Sequence, residues 1–135
     1  MNLEQIENSL PNGFHDAEIE GIAVDYVSKR AVLKMQLLVG DPDATNENER
    51  EAYKRAELLL SDLLYFVIDP PDPKSAFREK GRVSVSAGKV GEEGAPAPPI
   101  ATGLLPDGAF AHWFFVSDWN SFIHVAAMRA DLQWI

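Results

Sequence analysis

The chain has 135 residues, no cysteine, 46% hydrophobic residues and a formal net charge of −9. That length suits one domain over residues 1–135 with its own core, and the apolar share excludes a disordered chain. The missing cysteine excludes disulfide and thiolate chemistry, the charge makes nucleic acid a poor partner, and no apolar run approaches a membrane span.

The opening Met-Asn-Leu-Glu-Gln-Ile-Glu is acidic, unlike a secretory leader, so the expected location is the cytoplasm. Leu3, Ile6 and Leu10 fall at helical spacing, and Asn2 can cap, so residues 1–10 read as a short helix. Pro11-Asn12-Gly13 ends it. Residues 15–27 read as a strand whose apolar set shifts from Ala17 and Ile19 to Ile22, Val24 and Tyr26. A slip of one residue at Gly21 is the signature of a β-bulge. After a turn at Ser28-Lys29-Arg30, residues 31–39 alternate with Leu33, Met35, Leu37 and Val39 inward, which completes a hairpin. Residues 40–51 are turn formers and acids, expected to be exposed and mobile.

Residues 52–68 carry two readings. Helix propensity favours a helix over 47–60, whereas the run Leu63 to Ile68, closed by Asp69-Pro70-Pro71, suits a buried strand. The strand reading divides the stretch in two near Ser61-Asp62. A proline-punctuated connection with a helical turn at 75–79 leads to a short alternating strand at 82–87. Residues 88–103 are a Gly-, Pro- and Ala-rich loop. The C-terminal third holds the strongest hairpin signal. AFAHWFFV and SFIHVAAM flank Ser117-Asp118-Trp119-Asn120, and ADLQWI adds a last short strand. Taken together, the fold is expected to be mainly β, an antiparallel sandwich or strongly curved sheet with a short N-terminal helix, or α+β if 47–60 is helical.

Chemistry is sparse. A turn at 117–120 sets Val116 against Ser121, His112 against Val125 and Trp113 against His124. The two histidines then lie on opposite faces and cannot share a metal. His112 is expected to be a hydrogen-bonded histidine among aromatics. Trp113 and Phe115 share one face and Phe114 the other, so both faces of this hairpin are apolar. His15 and Asp16, as neighbours on a strand, are expected to point apart. Asp16 then serves turn amides, His15 packs on the helix and Phe14 anchors in the core. No Gly-x-Ser-x-Gly and no phosphate-loop pattern occurs. No cofactor or metal is expected.

The segment LPNGFHDAEIEGIAVDY at 10–26, with LLYFVIDPPDP and SFIHVAAMRADLQW further on, resembles small bacterial proteins that open with a Phe-His-Asp-Ala motif leading into a β-hairpin. Some of these resemble immunity proteins of bacterial toxin systems, which are small, β-rich and acidic inhibitors. The resemblance implies strands over 53–68 and brings no catalytic residue. The resulting expectation is a non-catalytic protein-binding module with a basic partner, met by Asp41, Asp43, Glu47, Glu49 and by Trp119 at a hairpin tip. The alternatives are a metal- or small-ligand-binding enzyme built on His15, Asp16 and His124, and a homo-oligomer joined through the last hairpin.

Overall fold

A computed structural model describes residues 1–74 and 83–135. The N-terminal helix α1 (Leu3–Ser9) begins with a reciprocal cap. The Asn2 side chain accepts from the Gln5 amide, and the Gln5 side chain accepts from the Asn2 amide. The strands are β1 (Ala17–Asp25), β2 (Arg30–Leu38), β3 (Tyr53–Ile68), β4 (Val83–Lys89), β5 (Phe110–Val116) and β6 (Ser121–Trp134). A one-turn helix α2 (Glu47–Arg50) lies between β2 and β3. Among the described residues these strands close into an antiparallel barrel in the order β1-β2-β3-β6-β5-β4.

The β-rich expectation holds, but the architecture is a closed barrel rather than a sandwich. Its two longest strands are bent, and a strongly twisted sheet of this size curls until its first and last strands pair. Ala17, Glu18 and Ile19 of β1 pair with Val85, Ser84 and Val83 of β4 and complete the ring. The bulge lies where the slip at Gly21 puts it, between Ile19 and Gly21. The β5–β6 register has Val116 opposite Ser121, His112 opposite Val125 and Trp113 opposite His124, as the turn residues dictate.

The middle of the chain departs from its sequence reading. Residues 53–68 form one strand, neither a helix nor two strands, and the helical propensity of 47–60 is spent in the single turn α2. The break foreseen at Ser61-Asp62 is a bend: Asp62 has φ 51°, and a register shift follows between Leu63 and Tyr65. Opposite Asp62, β6 changes the parity that faces inward, from Ser121, Ile123, Val125 and Ala127 to Ala130 and Leu132. ADLQWI is therefore not a separate strand but the far half of β6. The helical turn read at 75–79 lies outside the described residues.

The interior is filled by alternate residues of each strand, among them Leu33, Met35, Leu37, Leu58, Leu60, Phe114, Val116 and Ile123. Phe14 reaches this core from the turn before β1 and meets Phe114 edge-on, with ring centroids 5.7 Å apart. Because β6 outruns β5, its far half lacks a β5 partner. There the Ala130 amide donates to Met1 O at 2.7 Å, and α1 buries Leu3 and Ile6 in the core. The outer face of β5–β6 is also apolar. Trp113 lies across Gly88, where a Cβ would overlap the indole, and donates from Nε1 to Lys89 O; Phe122 packs edge-on to Trp113 and against Phe115.

Candidate functional site

The connection between β2 and β3 presents Asp41, Asp43, Glu47, Glu49 and Glu51, all exposed, with Arg50 among them. It is tied into a defined shape. At its base the Val39 and Gly40 amides donate to Ala52 O, and the Asp41 amide donates to Glu49 O. Gly40 sits so close to the Arg50 backbone that a Cβ would overlap the Arg50 carbonyl. From outside the loop, Asn12 Nδ2 donates to Leu38 O and Gly40 O, each at 2.9 Å. Asn46 caps α2 by accepting from the Asn48 amide. The loop is exposed as expected, but part of it is helical and its ends are clamped.

His15 and Asp16 belong to the turn before β1, not to the strand itself. Asp16 has φ 55°, and this turn geometry brings the two side chains together, His15 Nε2 to Asp16 Oδ2 at 3.3 Å, rather than apart. His15 is 73% exposed and does not pack on the helix. The turn is closed by main-chain bonds, Gly13 to Leu10, His15 to Asn12 and Ala17 to Phe14, so its amides do not need the Asp16 carboxylate. His124 lies on the outer face of β6 with Nε2 2.8 Å from Asp69 Oδ2. The Tyr53 hydroxyl donates to Asp16 O at the start of β3, while Asp69 follows its end. His15–Asp16 and His124–Asp69 are thus separate pairs at opposite ends of a 16-residue strand, and the constellation His15, Asp16, His124 does not form. Trp119 does not project from its turn; it is half-buried and packs against the core beside Ile19, Ile22, Val83 and Ile123.

The remaining histidine is the unusual one. His112 points inward from β5, is 2% exposed, and packs edge-on to Phe110. Neither ring nitrogen makes a well-formed hydrogen bond among the described residues, and both are sealed from solvent, although the Ala111 main chain lies close enough to interact with the ring. Burial pushes its pKa down to about 4, helped by the Lys89 ammonium and opposed by Glu4, Glu92 and the Ala111 main chain. At neutral pH the ring is uncharged and carries one donor and one acceptor. It lines a cavity of about 300 Å³ between α1, the end of β4 and the segment before β5, with Asn2, Glu4, Lys89, Thr102 and Leu105 on the walls. Lys89 Nζ and Glu4 Oε1 form an ion pair there at 2.5 Å. This pair holds Glu4 below the usual carboxylate range and Lys89 above its ordinary value. Glu7, nearby on α1, is raised by burial and then by the charges of Glu92 and Glu4.

The alternation of AFAHWFFV puts His112 on the same face as Phe110 and Phe114, but with both faces apolar it does not say which face is the interior. No sequence signal joined it to Lys89 and Glu4, because one is its cross-strand neighbour in β4 and the other arrives on a helix. Among the described residues no group of three or more His, Asp or Glu side chains is placed to hold a metal ion, and no helix is long and apolar enough to cross a membrane. No protein-family model, curated protein or solved structure matches the chain.

Proposed function

We propose that the protein is a non-catalytic binding module whose acidic β2–β3 loop docks on a basic protein, in the manner of the immunity-type inhibitors that its Phe14-His15-Asp16-Ala17 opening resembles. The observation behind this reading is the clamped loop. Its exposed carboxylates stand on a backbone fixed by Asn12, by the Gly40–Arg50 contact and by α2. A charged surface held in one shape loses less entropy on docking than a floppy one and presents a fixed pattern to its partner. Asp41, Asp43, Glu47 and Glu49 steer and dock, whereas Trp119 supports the barrel end.

The test is affinity capture from a bacterial lysate at low and moderate salt, with the parent chain beside a variant carrying Asp41→Asn, Asp43→Asn, Glu47→Gln and Glu49→Gln. The expected result is one stoichiometric basic protein, captured by the parent and lost by the variant, with association slowed about tenfold or more between the two salt conditions. Equal capture by both chains at low salt, or no reproducible partner, would overturn the reading.

A further inference from the structure

We propose that Asn12 is a self-modification site, at which the Gly13 main-chain nitrogen displaces the carboxamide nitrogen and the resulting acid releases the clamp on the β2–β3 loop. The change alters the order of the loop, whether or not the loop docks on a basic protein.

The first observation is the pair of residues. Asparagine is thermolabile, and Asn12-Gly13 is the one place in the chain where glycine follows it. Glycine has no Cβ to obstruct attack by its own nitrogen on the preceding side chain. The fold demands each residue for a separate reason. Gly13 has φ 55°, and a Cβ there would meet Glu7 Cγ at 3.0 Å. Asn12 supplies the two hydrogen bonds to Leu38 O and Gly40 O. The labile pair therefore stands at the base of the acidic loop, and its reactive carboxamide is the clamp.

The second observation is the gate. In the reaction the Gly13 nitrogen loses its proton and bonds to Asn12 Cγ, the Cγ–Nδ2 bond breaks, and Nδ2 leaves as ammonia. Water then opens the cyclic imide. Addition at Cγ gives aspartate; addition at the Asn12 main-chain carbonyl gives isoaspartate, with an extra carbon in the main chain. Either product carries a carboxylate, which only accepts, in place of the donor that Leu38 O and Gly40 O require. While the loop is closed, both Nδ2 bonds hold the carboxamide in place. The Gly13 amide donates to Leu10 O at 3.4 Å, a long bond that restrains the nucleophile weakly. The grip on the carboxamide is thus what withholds the reaction. Each opening of the loop base frees Cγ, and once the acid forms the clamp cannot close again.

The test is incubation of the full chain at mildly alkaline pH, folded and in urea, with peptide mapping by mass spectrometry and recovery of the converted chain by ion exchange. Asn12 should convert in both, about tenfold or more slowly in the folded chain, because two hydrogen bonds must open first. In the folded chain it should still convert ahead of Asn8 and Asn120, which precede serines. The converted chain, and separately the Asn12→Asp variant, should exchange the Val39, Gly40 and Asp41 amides about tenfold or more faster than the parent, with the β5–β6 amides unchanged. Equal rates folded and in urea, or Asn12 outlasting Asn8 or Asn120 in the folded chain, would overturn the proposal. Unchanged exchange at the loop base of the converted chain would overturn it as well.

Discussion

His112 adds a distinct component to the acid sensitivity of the barrel. Its folded pKa of about 4 lies below the ordinary 6.5, so the folded state resists a proton that the unfolded chain accepts. The contribution is complete above pH 6.5, falls as pH drops toward 4, and amounts to about 3 kcal/mol over that window. Urea denaturation at several pH values between 7 and 4 should show this decline in the parent chain. The His112→Phe variant should lack that component and be at least as stable at neutral pH. Lys89→Met should narrow the window by raising the His112 pKa, because it removes the nearby cation and leaves Glu4 and Glu92. Gly88 is decisive for a different reason: the Trp113 indole occupies the space a Cβ would need. Gly88→Ala should cost about 1–3 kcal/mol by displacing that ring, measured by thermal or urea unfolding.

Among the elements, the acidic loop depends on a residue that is distant in sequence. Asn12 satisfies two carbonyls at its base, so Asn12→Ala should cost about 1–3 kcal/mol and speed hydrogen exchange at the Val39, Gly40 and Asp41 amides. The loop was legible as exposed and acidic, but its clamp was not, since nothing in Pro11-Asn12-Gly13 names Leu38 or Gly40 as a partner. The β5–β6 hairpin was fully legible because a short Asp- and Asn-rich turn fixes register, and register fixes every side-chain direction. β3 was legible only in part. Residues 53–60 have helical propensity, and burying Ala56, Leu58 and Leu60 between two neighbouring strands overrides it. The Asp62 bend was placed correctly but read as an end, because a left-handed residue can terminate a strand or redirect it. His15 and Asp16 escape the strand rule of alternating faces because they lie in the turn before β1, where Asp16 is left-handed.

For the whole molecule, the second apolar face of the last hairpin was the reason to expect a homo-oligomer. That face carries the Trp113–Phe122–Phe115 layer with Gly88 beneath Trp113, and all three aromatic rings are partly buried within the single chain. Sedimentation at several concentrations should therefore give one mass, that of the monomer. Closure of the barrel was the least legible feature, because the pairing of β1 with β4 leaves no mark in either segment. That seam consists of Ala17, Glu18 and Ile19 against Val85, Ser84 and Val83, short compared with the β2–β3 and β3–β6 ladders and joining distant parts of the chain. With only three residue pairs to offset its closure, it is expected to form last in assembly. Until it zips, β1 and β4 are bare margins that could pair with another copy of the chain. The net charge of −9 then guards the unfinished ring, since like-charged copies repel before their margins meet. Refolding yield at high protein concentration should accordingly fall as salt is raised, while the stability of the closed barrel changes little.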